Sequence, residues 1–214
     1  MKTTVLFDMD GVISDTQEMQ SKIESDLLSK FGVIISPKTL TNKYAGIRSQ
    51  DFFKEMLDKK KVKYNLEELM QEKRKLVLKK IKTELKEIPQ ATDLIKKLYS
   101  EKYKLAVVSS SNKTLVETIL KKLKIKKYFS VIITGNDVKK SKPDPEGYLL
   151  ASKKLNSKPK ECVVIEDAKN GMVAGKRARM FVIGLVQKKS KEKYPADLLV
   201  KSHSQIIKLD LKQL

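Results

Sequence analysis

The sequence predicts an α/β fold: a three-layer sandwich built on a parallel sheet, with a small helical domain inserted after the first strand. The chain opens on a short apolar run, Thr3 to Phe7, that stops at Asp8-Met9-Asp10-Gly11. From Gln17 to Lys86 only helical periodicity follows. From Ile88-Pro89 onward, short apolar runs alternate with amphipathic segments, the mark of parallel strands joined by helical crossovers.

Taken in order, the first run is a buried strand, and Asp15-Thr16 supplies N-cap side chains for a helix from Gln17 to Phe31. Met19, Ile23, Leu27 and Leu28 recur there at helical spacing, and Gly32 stops it. Ser36-Pro37 reads as N-cap and N1 of a second helix. Ser49 to Leu57 is a third and Leu66 to Leu85 a fourth. Strands are expected at Leu105–Val108, Val131–Thr134, Cys162–Ile165, Phe181–Leu185 and, at an edge, Leu198–Val200. Helices are expected at Thr92–Glu101, Lys113–Leu123, Pro145–Leu155 and Gly171–Ala178. The result is a Rossmann-like sandwich of residues 1–16 and 87–214 with residues 17–86 inserted, and Lys188 to Lys193 form an exposed loop.

The net charge of +20 raises the question of a nucleic-acid surface. The lysines are spread through nearly every segment, aromatics are 6% of the chain, and no nucleic-acid signature is present. A solvated basic surface is the expectation, one that concentrates anionic substrates such as phosphate esters. No apolar run reaches membrane-spanning length and the chain begins a strand at once, so the expectation is cytoplasmic, without a membrane partner, as a monomer or weak homodimer. Cys162 has no partner for an intramolecular disulfide and sits in an apolar run, a buried strand position.

Four strand ends and loops carry polar residues that a buried sheet does not need. Asp8 and Asp10, spaced i and i+2, share one side of an extended strand, and Gly11 lets the chain turn. Val107-Val108 runs into Ser109-Ser110-Ser111-Asn112 ahead of a helix, which gathers hydroxyls and N–H groups where a phosphate is held, although an ordinary N-cap needs one such residue. Ser141-Lys142-Pro143-Asp144-Pro145 is a loop stiffened by prolines that points Lys142 inward. Val164-Ile165 runs into Glu166-Asp167.

In this order the motifs D-x-D-G-V, strand-Ser, K-P-D-P and strand-E-D-x-x-x-G resemble the haloacid dehalogenase superfamily, in particular its branch of β-phosphoglucomutases and sugar-phosphate phosphatases. The resemblance spans essentially the whole chain and makes the insertion a cap. It implies that Asp8 is the nucleophile that forms an aspartyl-phosphate, and that Asp10 is the general acid and base. It implies Mg²⁺ held by Asp8, the Asp10 backbone carbonyl and Asp167, with Glu166 acting through water or from behind. Ser109, Lys142 and the N–H groups near Met9 and Ser110 would hold the phosphoryl group. Thr16 would steer Asp10. Ser110, Ser111 and Asn112 would line the substrate site. An acid at position 10 argues against dehalogenase and phosphonate chemistry within that superfamily.

The run Tyr44-Ala45-Gly46-Ile47-Arg48-Ser49 is similar to the branch's cap specificity loop, with Gly46 matching its glycine. Arg48 either binds a distal phosphate or sugar hydroxyl or faces solvent beside a helix start. The mutases carry a histidine where this chain has Gln20, and an arginine where it has Ser49. The expectation is therefore a Mg²⁺-dependent phosphatase of small phosphorylated metabolites, with a phosphomutase as the alternative. A basic nucleic-acid-binding protein on the same fold is disfavoured by the intact Asp8, Asp10, Lys142, Glu166 and Asp167. Arg179-Met180 stands where relatives often have Gly-Met, so altered helix termination is expected there. His203 is expected at the surface.

Overall fold

The computed structural model describes residues 1–186 and 193–214. The expected loop at Lys188 to Lys193 therefore lies outside the described residues except for Lys193. Among the described residues six strands, β1 (Thr4–Phe7), β2 (Lys104–Val108), β3 (Val131–Ile133), β4 (Cys162–Glu166), β5 (Phe181–Leu185) and β6 (Leu198–Val200), form one sheet in the order β3-β2-β1-β4-β5-β6. All pairings are parallel.

Alternation along the strands sorts the core. Val5, Phe7, Val107, Val163 and Ile165 face one layer, with α5 (Ala91–Ser100), α6 (Lys113–Lys122) and α9 (His203–Ile207). Leu6, Ala106, Val108, Cys162 and Val164 face the other, with α7 (Glu146–Lys154) and α8 (Lys169–Arg177). Both faces are covered, which is why the strands read as continuous apolar runs.

Between β1 and α5 lie α1 (Gln17–Ser29), α2 (Pro37–Tyr44), α3 (Ser49–Lys60) and α4 (Leu66–Glu84). Helix α1 ends two residues before the expected Phe31, and Gly32 follows at φ +72°. The Ser36 side chain accepts from Thr39 N with Pro37 in the first turn, and Asn65 caps α4 by accepting from Glu67 and Glu68 N. Leu27, Phe53, Val77 and Ile81 are buried in a cluster continuous with the β1 face of the core.

Two expectations need correction. Helix α8 terminates regularly despite Arg179. Arg179 takes φ +58° itself, its N–H donates to Lys176 O at 2.9 Å, and Met180 N donates to Gly175 O at 3.2 Å. That is the left-handed helix end which usually holds glycine. Its exposed side chain gives the strained backbone no burial in return, so Arg179→Gly is expected to stabilise the protein by about 0.5–1 kcal/mol. In a thermal melt this is a rise of about 1–4 °C. A fall would show that the arginine's own contacts outweigh the strain.

His203 is fully buried, not at the surface. Its Nδ1 donates to Pro89 O at 3.2 Å, which ties α9 to the segment entering α5, and burial holds the imidazole below its ordinary pKa.

Candidate active site

In the strand order, β1 leads to β2 on one side and β4 on the other. The crevice beyond the carboxyl ends of β1 and β4 is where such sheets place a ligand. Phe7 pairs with Val107 and with Ile165, so Asp8, one residue further on, lies level with Val108 and Glu166. Gly11, at φ +90°, turns the chain there. A Cβ on it would lie 2.2 Å from Asp167 Oδ2, so glycine alone lets the loop after β1 pass the loop after β4.

Lys142 is buried and binds the strand ends together. Its Nζ donates to Asp8 Oδ1 at 2.5 Å, Glu166 Oε1 at 2.7 Å and Val108 O at 3.1 Å. Glu166 is fully buried and saturated from behind: Oε1 also accepts from Tyr148 OH at 3.1 Å, and Oε2 from Ala168 N at 2.9 Å. A Cβ on Gly171, in the first turn of α8, would overlap the Glu166 carboxylate at 1.5 Å, so glycine gives that carboxylate its room.

Asp8, Glu166 and Asp167 each present an oxygen within 4.8 Å of the others. One lysine faces these three acids, and the buried Asp167 Oδ1 has no hydrogen-bond partner among the described residues. Burial pushes the Asp8 carboxyl up to about 8 against the pull of Lys142, and Glu166 and Asp10 push the same way. Burial, with Glu166 and Asp8, likewise holds Asp167 well above the usual carboxylate range. Burial disfavours the Lys142 charge, but Asp8 and Glu166 keep it well above the ordinary lysine value. An orphaned oxygen in an all-oxygen, uncompensated cluster fits a hard divalent cation.

The Asp10 carboxylate takes no part in that cluster. Its Oδ1 accepts from Thr16 Oγ1 and from Gln20 Nε2 at 2.6 Å, and its Oδ2 accepts from Ser111 Oγ at 2.9 Å. Burial raises its pKa, while the Thr16 and Ser111 hydroxyls pull it back. Thr16 holds the N-cap position of α1, but its hydroxyl serves Asp10 and makes no cap bond, contrary to the capping role expected of it. Thus one strand end presents two aspartates in different settings, one facing a lysine and acids, the other facing neutral donors.

The serine run divides its work. Ser109 Oγ accepts from Ser111 N at 3.0 Å, and Ser110 Oγ donates to Gly46 O at 2.5 Å. Asn112 Oδ1 accepts from Leu115 N at 3.1 Å, so the oxygen expected to face substrate caps α6. The Met9 and Ser110 N–H groups donate to no backbone carbonyl among the described residues.

Arg48 neither faces solvent nor is free to bind a ligand in this conformation. Its guanidinium donates to both Asp51 oxygens and to the carbonyls of Gly135, Val138 and Lys139, which uses all five N–H groups. Together with Ser110–Gly46 and Asn170 Nδ2–Ala45 O at 2.9 Å, it fastens the α2–α3 loop to the sheet edge.

Sequence reasoning missed Lys73 and Glu24. Lys73 Nζ donates to Glu24 Oε1 at 2.6 Å, to Gln20 Oε1 at 3.2 Å and to Ser49 Oγ, and Ser49 Oγ donates to Glu24 Oε1 at 2.7 Å. In so lysine-rich a chain Lys73 carries no signal. The one available was the i, i+4 spacing of Gln20 and Glu24 on the helix that follows Thr16.

The helices of the insertion and the sheet edge line a half-open cavity of about 70 Å³, bordered by Asp8, Asp10, Gln20, Glu24, Ser49 and Ser110 among others. A parallel sheet that brings carboxylates, a buried lysine and a hydroxyl-rich helix start to one edge defines an enzyme of the phosphatase and phosphomutase group. The chain belongs to the family of haloacid dehalogenase-like hydrolases, which it matches over residues 5–185.

A phosphorylated carbohydrates phosphatase of Thermotoga maritima is 32% identical over 179 residues, covering 81% of this chain and 80% of that one. A β-phosphoglucomutase of Bacillus subtilis is 29% identical over 211 residues, 94% of this chain and 90% of that one. The crystal structure of β-phosphoglucomutase from Clostridium difficile superposes with a TM-score of 0.85 at 27% identity, covering 100% of this chain and 95% of that one. Among the described residues no helix is long and apolar enough to cross a membrane.

Proposed function

We propose that the chain is a Mg²⁺-dependent phosphatase of small phosphorylated metabolites of the sugar-phosphate type, working through an aspartyl-phosphate on Asp8. The observation that carries this reading is the separation of the two aspartates: Asp8 is held by Lys142 beside the acid cluster, while Asp10 is held by Thr16, Gln20 and Ser111. A carboxylate fixed by a lysine and facing open space is placed for in-line attack on phosphorus. A buried carboxyl with a raised pKa, bound by neutral donors, is suited to protonate the leaving alcohol and later to accept a proton from the attacking water. Ser109, Lys142 and the Met9 and Ser110 N–H groups are the donors for the phosphoryl oxygens.

Asp8, the Asp10 backbone carbonyl and Asp167, with Glu166 behind them, are the residues that would hold Mg²⁺, whose charge lets a phosphate dianion approach so many acids. Residues 17–86 act in this reading as a cap over the core formed by 1–16 and 87–214. The 70 Å³ cavity is far below the roughly 300–1,000 Å³ of ligand pockets, so substrate entry requires the cap to lift and the Arg48 contacts to part. Hydrolysis is favoured over mutation of the phosphate position because Ser49 stands where the mutases carry an arginine and Gln20 where they carry a histidine.

The test is a panel of sugar phosphates with Mg²⁺, measured for free phosphate and for isomer. Phosphate release that EDTA stops is expected. Conversion of β-glucose 1-phosphate to glucose 6-phosphate with little free phosphate would overturn the hydrolytic reading in favour of the mutase.

The acid cluster also sets a pH dependence. Asp8 rises from its ordinary 3.8 to about 8 on folding, so the metal-free fold favours its protonated form. That contribution is present below the unfolded value and is lost as pH rises between about 4 and 8. Asp167 shifts in the same direction. Mg²⁺ is therefore expected to raise the melting temperature more at about pH 8 than at about pH 5. An equal gain at both, or none, would count against the cation at these residues.

A further inference from the structure

The cap side of the cavity has a chemistry of its own. Gln20, which bonds Asp10, and Glu24 stand about one turn apart on α1, about 6 Å along its axis. Glu24 is buried to 7% exposure and borders the cavity. Its Oε1 takes both the Lys73 ammonium and the Ser49 hydroxyl, whereas its Oε2 has no partner among the described residues. Lys73 in turn spends its three N–H groups on Glu24, Gln20 and Ser49.

Among the described residues no lysine or arginine borders this cavity, while Asp8, Asp10 and Glu24 all do. The transferring phosphoryl group has Lys142 at the Asp8 end. At the Glu24 end Lys73 is spent on Glu24, Gln20 and Ser49, and Arg74 borders the adjoining groove instead of this cavity. The Oε2 of this mostly buried residue faces the cavity without a protein donor, and a ligand hydroxyl satisfies it at the least cost. A second phosphate or a carboxylate on the substrate would instead meet Glu24 as a like charge in a poorly solvated space.

We infer that Glu24 is a specificity-determining residue, whose Oε2 accepts a hydroxyl of the leaving group and excludes a second anionic group. The substrates are then phosphomonoesters of neutral polyhydroxy compounds, not bisphosphates or phosphorylated acids. This rests on the phosphatase reading for the position of the leaving group, but affinity tests it without turnover. Lys73 positions the carboxylate, and Ser49 completes its bonds.

The experiment measures Mg²⁺-supported binding of fructose 1-phosphate and fructose 1,6-bisphosphate by calorimetry. It uses the Asp8→Asn protein, with and without Glu24→Gln. The pair differs only in a hydroxyl or a phosphate at the far end. The monophosphate is expected to bind at least about tenfold tighter, and Glu24→Gln, which keeps the shape and removes the charge, is expected to cut that preference about tenfold.

Equal or tighter binding of the bisphosphate overturns the inference. If that binding is lost in Arg74→Ala, the distal group belongs in the larger groove that Arg74 borders. An unchanged preference in Glu24→Gln overturns it, as does binding of neither sugar. The Asp8→Asn affinities alone remain decisive if Glu24→Gln does not fold. Phosphate release by the wild-type protein, measured separately, decides the phosphatase reading whichever sugar binds better.

Discussion

Asp8→Asn is expected to lower phosphate release by about 10⁴-fold or more, because an amide has no nucleophilic oxygen to form the phosphoryl-enzyme and water in the site has no equivalent route. The same substitution has an opposite effect on the fold. Asp8 is one of three buried acids around one lysine, and burial already drives it toward its neutral form. An asparagine keeps an acceptor for Lys142 at nearly the same place and removes the charge that the metal-free fold tolerates least. The melting temperature without Mg²⁺ is therefore expected to hold or rise as activity disappears, and the gain on adding Mg²⁺ to shrink. Kinetics together with melts with and without Mg²⁺ read both effects. A variant that keeps more than about a tenth of the activity would remove Asp8 from the role of nucleophile.

The sheet was legible because its strands are buried on both faces and read as uninterrupted apolar runs that end in polar residues. The same property made Asp8 and Glu166 stand out, since each is a charge at the end of a buried strand, whereas Lys142, one loop lysine among many, gained its meaning only from the order of the motifs. What stayed hidden was decided by partners distant in the chain. Thr16 reads both as a helix cap and as the residue that steers Asp10, and the fold gives its hydroxyl to Asp10 and not to the cap. Arg48 offered a choice between ligand and solvent, and neither reading contained the carbonyls of residues 135–139 that take it. His203 lies among lysines and serines, and its burial comes from the docking of α9 against α5. Lys73 and Glu24 illustrate the limit of composition: one of 46 basic residues is buried against Gln20, Glu24 and Ser49, and no pattern in α4 marks it.

Lys142→Met is expected to impair both the fold and the chemistry, in proportions that pH controls. The ammonium meets Asp8, Glu166 and the Val108 carbonyl, and methionine fills the space while leaving these acceptors buried without a donor. Breaking a buried pair in this way costs about 3–5 kcal/mol when the acids must stay ionised. Protonation relieves the cost. Asp8 already sits at about 8 with the lysine present, and without it the carboxyl rises further, so it keeps its proton to higher pH and part of the penalty disappears.

The wild-type lysine, its own pKa raised, stays charged and contributes stability throughout this range, losing it only as pH climbs past the raised folded value. The variant's deficit is therefore expected to widen as pH rises through about 8, where the wild-type Asp8 ionises beside its lysine and the variant's stays protonated, and to be reduced by Mg²⁺, which supplies the missing positive charge. Activity falls by about 10²–10³-fold with Mg²⁺ saturating, because the phosphoryl oxygens still lose a preorganised donor. Arginine does not restore it, since a planar guanidinium does not fit three acceptors arranged around a compact ammonium. Denaturant melts at several pH values, read beside kcat, test the argument: a deficit that does not change with pH would mean that Lys142 acts by packing, not as the counter-charge of Asp8 and Glu166.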